Sequence, residues 1–384
     1  MCSSVMRITI ATGPWLPVPP LRGGSVPRMW MGLAEAFARR GNDVCIVARG
    51  FEGQPEREVL RGVIYLRFGG GSQSRWIVAD LLKDLAYAVR VALRLPRADI
   101  LVTNSFWLPV VAAALAPAAG RIVVNANRFP KGQYRLYRGA ACIAAASASV
   151  RNEIARECPA LAGRTVVIPN TVDGCFLRTA GDRRRAAERR TLLYVGRIHP
   201  EKGIHLLVDA FARICAQQND WRLRIVGPAS EADGGGGPEY LESLKAAASG
   251  SPVEFCDPIF DPAALADVYR ECDLFCYPSL AERGEAFPVA PLEAMACGLP
   301  AVTSAIDCFS EIVSEGETGW IFDHRGAGAV ETLGNALQAA MRDPTRLKTM
   351  GAKAVQFANR FSCEQIAGQY LAEFDRLVNR GAHA

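Results

Sequence analysis

Short apolar runs with the composition of β-strands alternate with longer helix-like segments along most of the 384-residue chain. In the first half, these runs cover residues 6–11, 44–48, 63–66, 100–103, 122–124 and 143–146. Strands that are separated by helix-length connections form parallel sheets with helices on both faces. The pattern therefore predicts an α/β fold built on a Rossmann-like parallel sheet.

The second half of the chain repeats this pattern, with strand-like runs at residues 192–195, 223–226, 253–255, 274–277 and 301–303. The segment 181–190 is highly charged and has few core residues, as is typical of a domain boundary. We therefore predict one domain over residues 1–170 and a second over residues 171–360, followed by a helical tail at 361–384. Two such domains in tandem would face each other across a cleft, with ligands at the carboxyl ends of the strands.

Composition excludes several other classes of protein. No apolar run reaches the roughly 20 residues that a membrane-spanning helix needs, and the apolar segment 8–11 is too short for the core of a signal peptide. We therefore expect a cytoplasmic protein. Cys45, Cys142 and Cys276 lie in apolar runs and no Cys-x-x-Cys pair occurs, which favours reduced structural thiols over disulfides or a zinc site.

Positive charge is concentrated in the first half. Residues 1–171 contain 22 Lys and Arg against 10 Asp and Glu, a net charge of +12, whereas residues 172–384 contain 22 against 29, a net charge of −7. This asymmetry indicates that the two halves bind different partners. Nucleic acid is not expected among them, because no known binding motif accompanies the basic residues.

Two motifs in the second half carry candidate chemistry. Arg197 and Lys202 lie in a loop between a strand and a helix, where two cations and a helix N-terminus suit a diphosphate. Further on, seven residues separate Glu285, in the loop after the strand at 274–277, from Glu293, which we place in the first turn of a helix beginning near Pro291. A carboxylate accepts hydrogen bonds from vicinal hydroxyls, so this pair points to a sugar or a ribose.

The order and spacing of these motifs resemble the retaining glycosyltransferases of family 4, which have the GT-B fold. The resemblance runs over most of the chain, and the combination is specific although each part alone is weak. The matching segments are Gly23-Gly24, Pro169-Asn170 before Val172-Asp173, Gly196-Arg197 with Lys202-Gly203, Tyr277-Pro278-Ser279, and Glu285-x7-Glu293 followed by Ala294-Met295-Ala296-Cys297-Gly298.

The resemblance implies a role for each matching residue. Arg197 and Lys202 would hold the donor diphosphate, Glu293 the donor ribose, and Glu285 the transferred sugar. The donor would be a nucleotide diphosphate sugar, with no cofactor and no metal, since an Asp-x-Asp motif is absent. The last helix would cross back to the first, acceptor-side domain. Further donor-binding positions would be Gly23, Gly24, Gly196, Phe287, Val289 and Ala290.

The sequence departs from this family at several positions. Many members carry a His after a late strand of the first domain; Asn125 stands at that position here, followed by Arg128, and an Asn cannot act as a base. Pro288 replaces a common Gly and removes one amide donor. The usual Gly-Gly before Glu311 is also missing, so Glu311 stays a minor candidate.

Two other functions share this architecture: a nucleotide-sugar epimerase and a non-catalytic sugar-nucleotide-binding subunit. The spacing of Glu285 and Glu293 favours a transferase over the epimerase, whereas Asn125 keeps the binding subunit open. A nicotinamide oxidoreductase is disfavoured because the turn after the first strand lacks Gly-x-Gly-x-x-Gly. The basic first half suggests an anionic acceptor, either a glycan or a polyprenyl-linked glycan, and docking on an anionic membrane surface at the inner membrane face. A solvated basic face that only aids solubility is the open alternative. We expect a role in polysaccharide or glycoconjugate synthesis.

Overall fold

The computed structural model describes residues 5–20, 24–74, 76–177, 189–216 and 220–382. Contacts divide the chain into two compact units. The first unit combines Met1–Thr171 with Cys363–Ala384, and the second is Val172–Ser362. Within the described residues, none of the helices is both long and apolar enough to span a bilayer.

An eight-stranded sheet forms the centre of the first unit. Its strand order is β3-β4-β2-β1-β5-β6-β7-β8, and every neighbouring pair is parallel except β3 with β4. Apolar β-branched residues such as Ile8, Ile46 and Val102 fill its core, as expected for strands covered on both faces. Its elements are β1 (Arg7–Ala11), α1 (Ser25–Arg39), β2 (Asp43–Gly50), β3 (Arg57–Leu60), β4 (Val63–Gly69), α2 (Ile77–Ala92), β5 (Ile100–Thr103), α3 (Leu108–Leu115), β6 (Arg121–Ala126), β7 (Cys142–Ala145), α4 (Ala148–Glu157) and β8 (Thr165–Val167).

A six-stranded parallel sheet forms the centre of the second unit, in the order β11-β10-β9-β12-β13-β14. The order reverses beside the first strand of this unit, which has β10 on one side and β12 on the other. Its elements are β9 (Arg190–Val195), α5 (Ile204–Cys215), β10 (Trp221–Val226), α6 (Gly237–Ala247), β11 (Val253–Cys256), α7 (Pro262–Glu271), β12 (Leu274–Tyr277), α8 (Val289–Ala296), β13 (Ala301–Ser304), β14 (Gly319–Phe322), α9 (Ala329–Met341) and α10 (Pro344–Ala358).

The last helix, α11 (Cys363–Ala382), belongs to the first unit and packs against α1. The contact is aromatic: the ring centroids of Trp30 and Tyr370 are 5.4 Å apart, and those of Phe37 and Phe374 are 5.8 Å apart. Tilted and edge-on pairs at these distances add to the stabilisation that burial alone gives. The end of the chain therefore completes the core of its first unit.

The apolar pattern did not indicate three of the strands. β3 is an exposed antiparallel edge strand with the sequence REVL, so it has no apolar run to mark it. β8 and β14 are only three and four residues long. Short edge strands are the elements whose apolar signal is weakest.

Candidate active site

Two loops of the second unit meet where the strand order reverses. One loop follows β9 and contains residues 196–203; the other follows β12 and contains residues 278–288. Because β9 and β12 are parallel neighbours, their carboxyl ends lie at the same edge of the sheet. In open α/β sheets, ligands bind at this point.

A buried ion pair joins the two loops. Lys202 Nζ donates a hydrogen bond to Glu285 Oε1 at 2.6 Å, and Ser279 Oγ donates to the same oxygen at 2.7 Å. Lys202 is 7% exposed and Glu285 is 5% exposed. Charges are rarely buried unless they are paired or functional. The structure thus brings together the residues that the sequence predicts to contact the donor diphosphate and the transferred sugar.

Arg197 lies beside this pair. Its Nη2 donates to Glu201 Oε1 at 2.6 Å, and Lys202 Nζ lies 3.9 Å from that same oxygen. The two cationic nitrogens therefore cannot be more than 6.5 Å apart, the sum of those distances. One carboxylate oxygen of Glu201 is placed between two cations, which is the arrangement that an oxygen of a phosphate would also require.

Hydrogen bonds hold the two loops in register. The N–H of Leu280 donates to the carbonyl of Glu201 at 2.8 Å, which joins the two loops. Ser304 Oγ, at the end of β13, donates to the carbonyl of Ser279 at 2.6 Å and ties the second loop to that strand. Gly203 has a φ of +66°, and a Cβ at this position would lie 2.0 Å from the carbonyl oxygen of Pro278. Only glycine allows this backbone conformation with so close an approach between the loops.

Two stacked tyrosines lie under the ion pair. The rings of Tyr194 and Tyr277 are 5.9 Å apart and inclined by only 9°, and Lys202 Nζ is 5.7 Å from the centre of the Tyr277 ring. Burial raises the pKa of Tyr277 well above its ordinary value, and the nearby charge of Glu285 raises this pKa further. The ring therefore remains neutral and supports the lysine as an apolar and π surface.

Glu293 lies on α8, the helix that follows the second loop. Its predicted position in the first helical turn is wrong, because α8 begins at Val289 and places Glu293 in the second turn. The reason is that Pro291 is tolerated inside the first turn, where its missing N–H has no helical partner. Glu293 is 3% exposed, and Tyr269 Oη donates to its Oε2 at 3.4 Å.

The remaining donor-side candidates are distributed over both units. Phe287 is buried against Phe361, with ring centroids 5.6 Å apart, and Val289 and Ala290 are the first two residues of α8, which has no side-chain cap. Gly196 directly follows β9. Gly24 precedes α1 with a φ of +111°, and Gly23 lies outside the described residues.

The acceptor-side candidates have different surroundings. Asn125 lies within β6, and its Nδ2 donates to Tyr370 Oη of α11 at 3.1 Å. Arg128 is exposed in the loop beyond β6, whereas Glu311 ends a short 3₁₀ turn of the second unit. Asn127, to which the sequence assigned no role, lies just past β6, and both of its amide atoms are buried without a partner among the described residues. The roles of these side chains in binding stay predictions.

Comparison with known proteins covers both units. Residues 23–174 match the model of Glycosyltransferase Family 4, and residues 180–357 match that of Glycosyl transferases group 1.

The chain belongs to the group 1 glycosyltransferases.

Its similarities extend to curated proteins and to solved structures. The D-inositol 3-phosphate glycosyltransferase of Kribbella flavida is 35% identical over 187 residues, which are 48% of this chain and 42% of that protein. The matched regions span only 31 to 48% of the lengths of the first curated relatives.

Solved structures resemble the whole described chain and establish the GT-B fold. Sucrose-phosphate synthase from Thermosynechococcus elongatus has a TM-score of 0.79 at 23% identity, covering 98% of this chain and all of that one. Anabaena HepE in complex with UDP has a TM-score of 0.73 at 20% identity, covering 97% of this chain and all of that one.

In this group 1 glycosyltransferase, an open cavity of about 330 Å³ lies next to the Arg197 loop. It is at the carboxyl ends of β10 and β11, and its lining includes Ile198, Gly227, Ser230, Phe255, Asp257 and Lys245. Arg197 Nη1 donates to the carbonyl of Gly234 at 2.8 Å, which ties the cation to the loop beyond β10. The cavity and the cations are therefore parts of one surface of the second unit.

Two residues of this glycosyltransferase site lie outside the roles that the sequence motifs imply. Glu201 binds Arg197 and approaches Lys202, and its position four residues after Arg197 was the available signal. Ser279 donates to Glu285, although it had been noted only as part of the Tyr277-Pro278-Ser279 motif. Both are short-range partners of the residues that the motifs did identify.

Proposed function

We propose that this glycosyltransferase moves a sugar from a nucleotide diphosphate sugar to a glycan or lipid-linked acceptor, with retention of configuration at the transferred carbon. The observation that carries the donor assignment is the convergence of Arg197 and Lys202 on one carboxylate oxygen, beside the buried Glu285. Two cations held at this spacing suit the adjacent oxygens of a diphosphate. The structures of HepE with UDP and with UDP-glucose support the same class of donor.

The two cations would change partners when the donor binds. Arg197 and Lys202 are each paired with a carboxylate here, so a diphosphate would have to compete with Glu201 and Glu285 for these cations. As the bond between the sugar and the diphosphate breaks, its electron pair passes to the leaving phosphate oxygen. Preplaced cations stabilise that developing charge. The acceptor oxygen bonds to the sugar carbon, and its proton passes to the leaving phosphate.

The family relationship favours a transferase over an epimerase or a binding subunit. For the acceptor, we propose an anionic glycan or polyprenyl-linked glycan, used in polysaccharide or glycoconjugate synthesis at the cytoplasmic face of the inner membrane. The net charge of +12 on residues 1–171 supports an anionic acceptor, because opposite charge speeds encounter and favours docking.

A thermal-shift panel of UDP, GDP and ADP and of their sugars tests the proposed donor class. A ligand that binds the native state adds about 2.7 kcal/mol to the free energy of unfolding when its concentration is a hundred times its dissociation constant. The midpoint temperature of unfolding rises as a result. We expect one nucleotide to give the largest shift, and its sugar to give a shift at least as large. A chain that none of these ligands stabilises would contradict the proposal.

Glu293→Gln should weaken the binding of the free nucleoside diphosphate by on the order of tenfold, because one charge-assisted hydrogen bond is lost. The measurement is titration calorimetry with the nucleotide that the panel selects. Glu331→Gln, in the first turn of α9, is the matched control from the same unit. Unchanged affinity in Glu293→Gln would remove this residue from the nucleotide site.

Transfer should persist in EDTA, because Arg197 and Lys202 supply the positive charge that a metal ion would otherwise give the diphosphate. Within the described part of the chain, no group of three or more His, Cys, Asp or Glu residues is placed to hold a metal ion. The measurement is the initial rate before and after EDTA treatment, followed by addition of Mg²⁺ or Mn²⁺. An absolute dependence on either ion would overturn this prediction.

A further inference from the structure

Apolar side chains project into solvent at the beginning of α2, along one of its sides and just after its end. Trp76 is 77% exposed, Ile77 75%, Val78 65% and Leu82 62%. Leu93, just after the helix, is 69% exposed. Residues 78, 82, 86 and 93 follow helical spacing, so they share one face. Exposed apolar residues scattered singly are ordinary, but a contiguous group of this size marks a binding surface. We call this group the α2 apolar face.

Positive charges flank this face. Lys83, Arg90, Arg94 and Arg97 are all exposed, and the first three lie about 100° around the helix from residues 78, 82 and 86. Among the carboxylates of α2, Asp84 is buried, and Asp80 accepts the N–H of Ser74 at 2.8 Å and lies 3.9 Å from Lys83. Cations therefore dominate the exposed flank of the α2 apolar face.

The opposite side of α2 is fixed to the body of the first unit. Tyr87, Ala88 and Val91 are buried, and the carboxylate of Asp84 accepts the N–H of Trp107 at 2.8 Å, at the beginning of α3. The helix is thus held by its inner side, and the exposed side is not needed for its packing. The positive charge of the first half is evident in the sequence, and the structure shows which apolar residues accompany it.

We propose that the α2 apolar face docks this protein on the surface of an anionic phospholipid bilayer. An outward apolar side with flanking Lys and Arg is the composition of interfacial helices, whose apolar residues enter the boundary between headgroups and acyl chains. Trp prefers that boundary because its ring is apolar while its N–H remains hydrated. The flanking cations favour anionic lipids over zwitterionic ones. The purpose of docking rests on the lipid-linked acceptor proposed above, but docking itself requires no turnover.

The test is sedimentation of the full chain with vesicles of phosphatidylcholine alone and with about 30% phosphatidylglycerol, at low and high salt. We expect binding that requires the anionic lipid and weakens with salt. Val78→Ser/Leu82→Ser should lower the partition coefficient by about tenfold, because two apolar side chains of this face, buried in the bound state, are lost. Brominated lipids should quench the fluorescence of Trp76 in the wild-type protein. The quenched part of the fluorescence should be absent in Trp76→Phe, which would assign the quenching to this residue.

Val59→Ser/Leu60→Ser is the matched control, because these residues are exposed apolar side chains of β3 in the same unit. This control should bind vesicles as the wild type does. Absence of vesicle binding, or equal losses in the two double variants, overturns the proposal. It is also overturned if Val78→Ser/Leu82→Ser instead abolishes a concentration-dependent self-association, since the face would then bind protein. Because the nucleotide panel is run without lipid, failure of docking is distinguishable from failure of the donor assignment.

Discussion

Arg197→Ala and Lys202→Ala should each lower turnover by on the order of 10²-fold, because each removes one of the positive charges that stabilise the departing diphosphate. Turnover is measured as release of nucleoside diphosphate at saturating donor. The side chain of Arg197 is 43% exposed, so its replacement should leave the fold intact. Lys202 is different, because its loss leaves Glu285 buried without a cation, at a cost of about 3–5 kcal/mol in folding free energy.

The folding of both variants is therefore checked by circular dichroism and thermal unfolding. The turnover rate of Arg197→Ala decides the test, because this variant is expected to remain folded. Arg213→Ala is the matched control, since Arg213 is an exposed cation of α5 in the same unit. It should turn over as the wild type does. Wild-type turnover in folded Arg197→Ala and Lys202→Ala would remove the diphosphate assignment.

Glu285→Gln should lower turnover by on the order of 10²-fold, the cost of one misplaced polar contact to the transferred sugar in a preorganised site. In contrast, the substitution should not lower the affinity for the free nucleoside diphosphate. Lys202 is now held by Glu285 at 2.6 Å, and the glutamine no longer competes with the diphosphate for that charge. We therefore expect affinity for the free nucleotide at least equal to that of the wild type.

This variant should remain folded, because a glutamine oxygen still accepts hydrogen bonds from Lys202 and Ser279. The pair of measurements separates Glu285 from Glu293, whose replacement is expected to weaken nucleotide binding. Normal turnover in Glu285→Gln would mean that the carboxylate only balances the charge of Lys202. Weaker nucleotide binding would mean that Glu285 helps to form the diphosphate site.

The sequence predicted the central strands better than the edges of the sheets. The predicted bounds of β5 (Ile100–Thr103) and β12 (Leu274–Tyr277) agree with the structure because both strands are fully buried and read as continuous apolar runs. β3 escaped prediction because an exposed edge strand can be mostly polar. Two parallel α/β domains followed from the alternation of strands and helices, and the comparisons confirm the GT-B fold.

For the candidate site, the sequence located the charged residues but not their partners. Local sequence pattern shows that Arg197, Lys202 and Glu285 lie in loops that directly follow strands. This is enough to predict that they lie at the carboxyl edge of the sheet. The contact between Lys202 and Glu285 spans 83 positions in the chain and depends on the order of the strands. The hydrogen bond from Asn125 to Tyr370 also spans 245 positions, so local sequence pattern could not predict it.

The placement of α11 has a consequence for synthesis of the chain on the ribosome. Residues 363–382 emerge only after the whole of Val172–Ser362, yet they supply the rings that cover Trp30 and Phe37. At about 5–20 residues per second, the first unit waits roughly 10–40 s with this part of its core uncovered. The second unit, which is contiguous in sequence, has all of its residues available at the end of that interval. The part of the protein that is made first is therefore the part that finishes folding last.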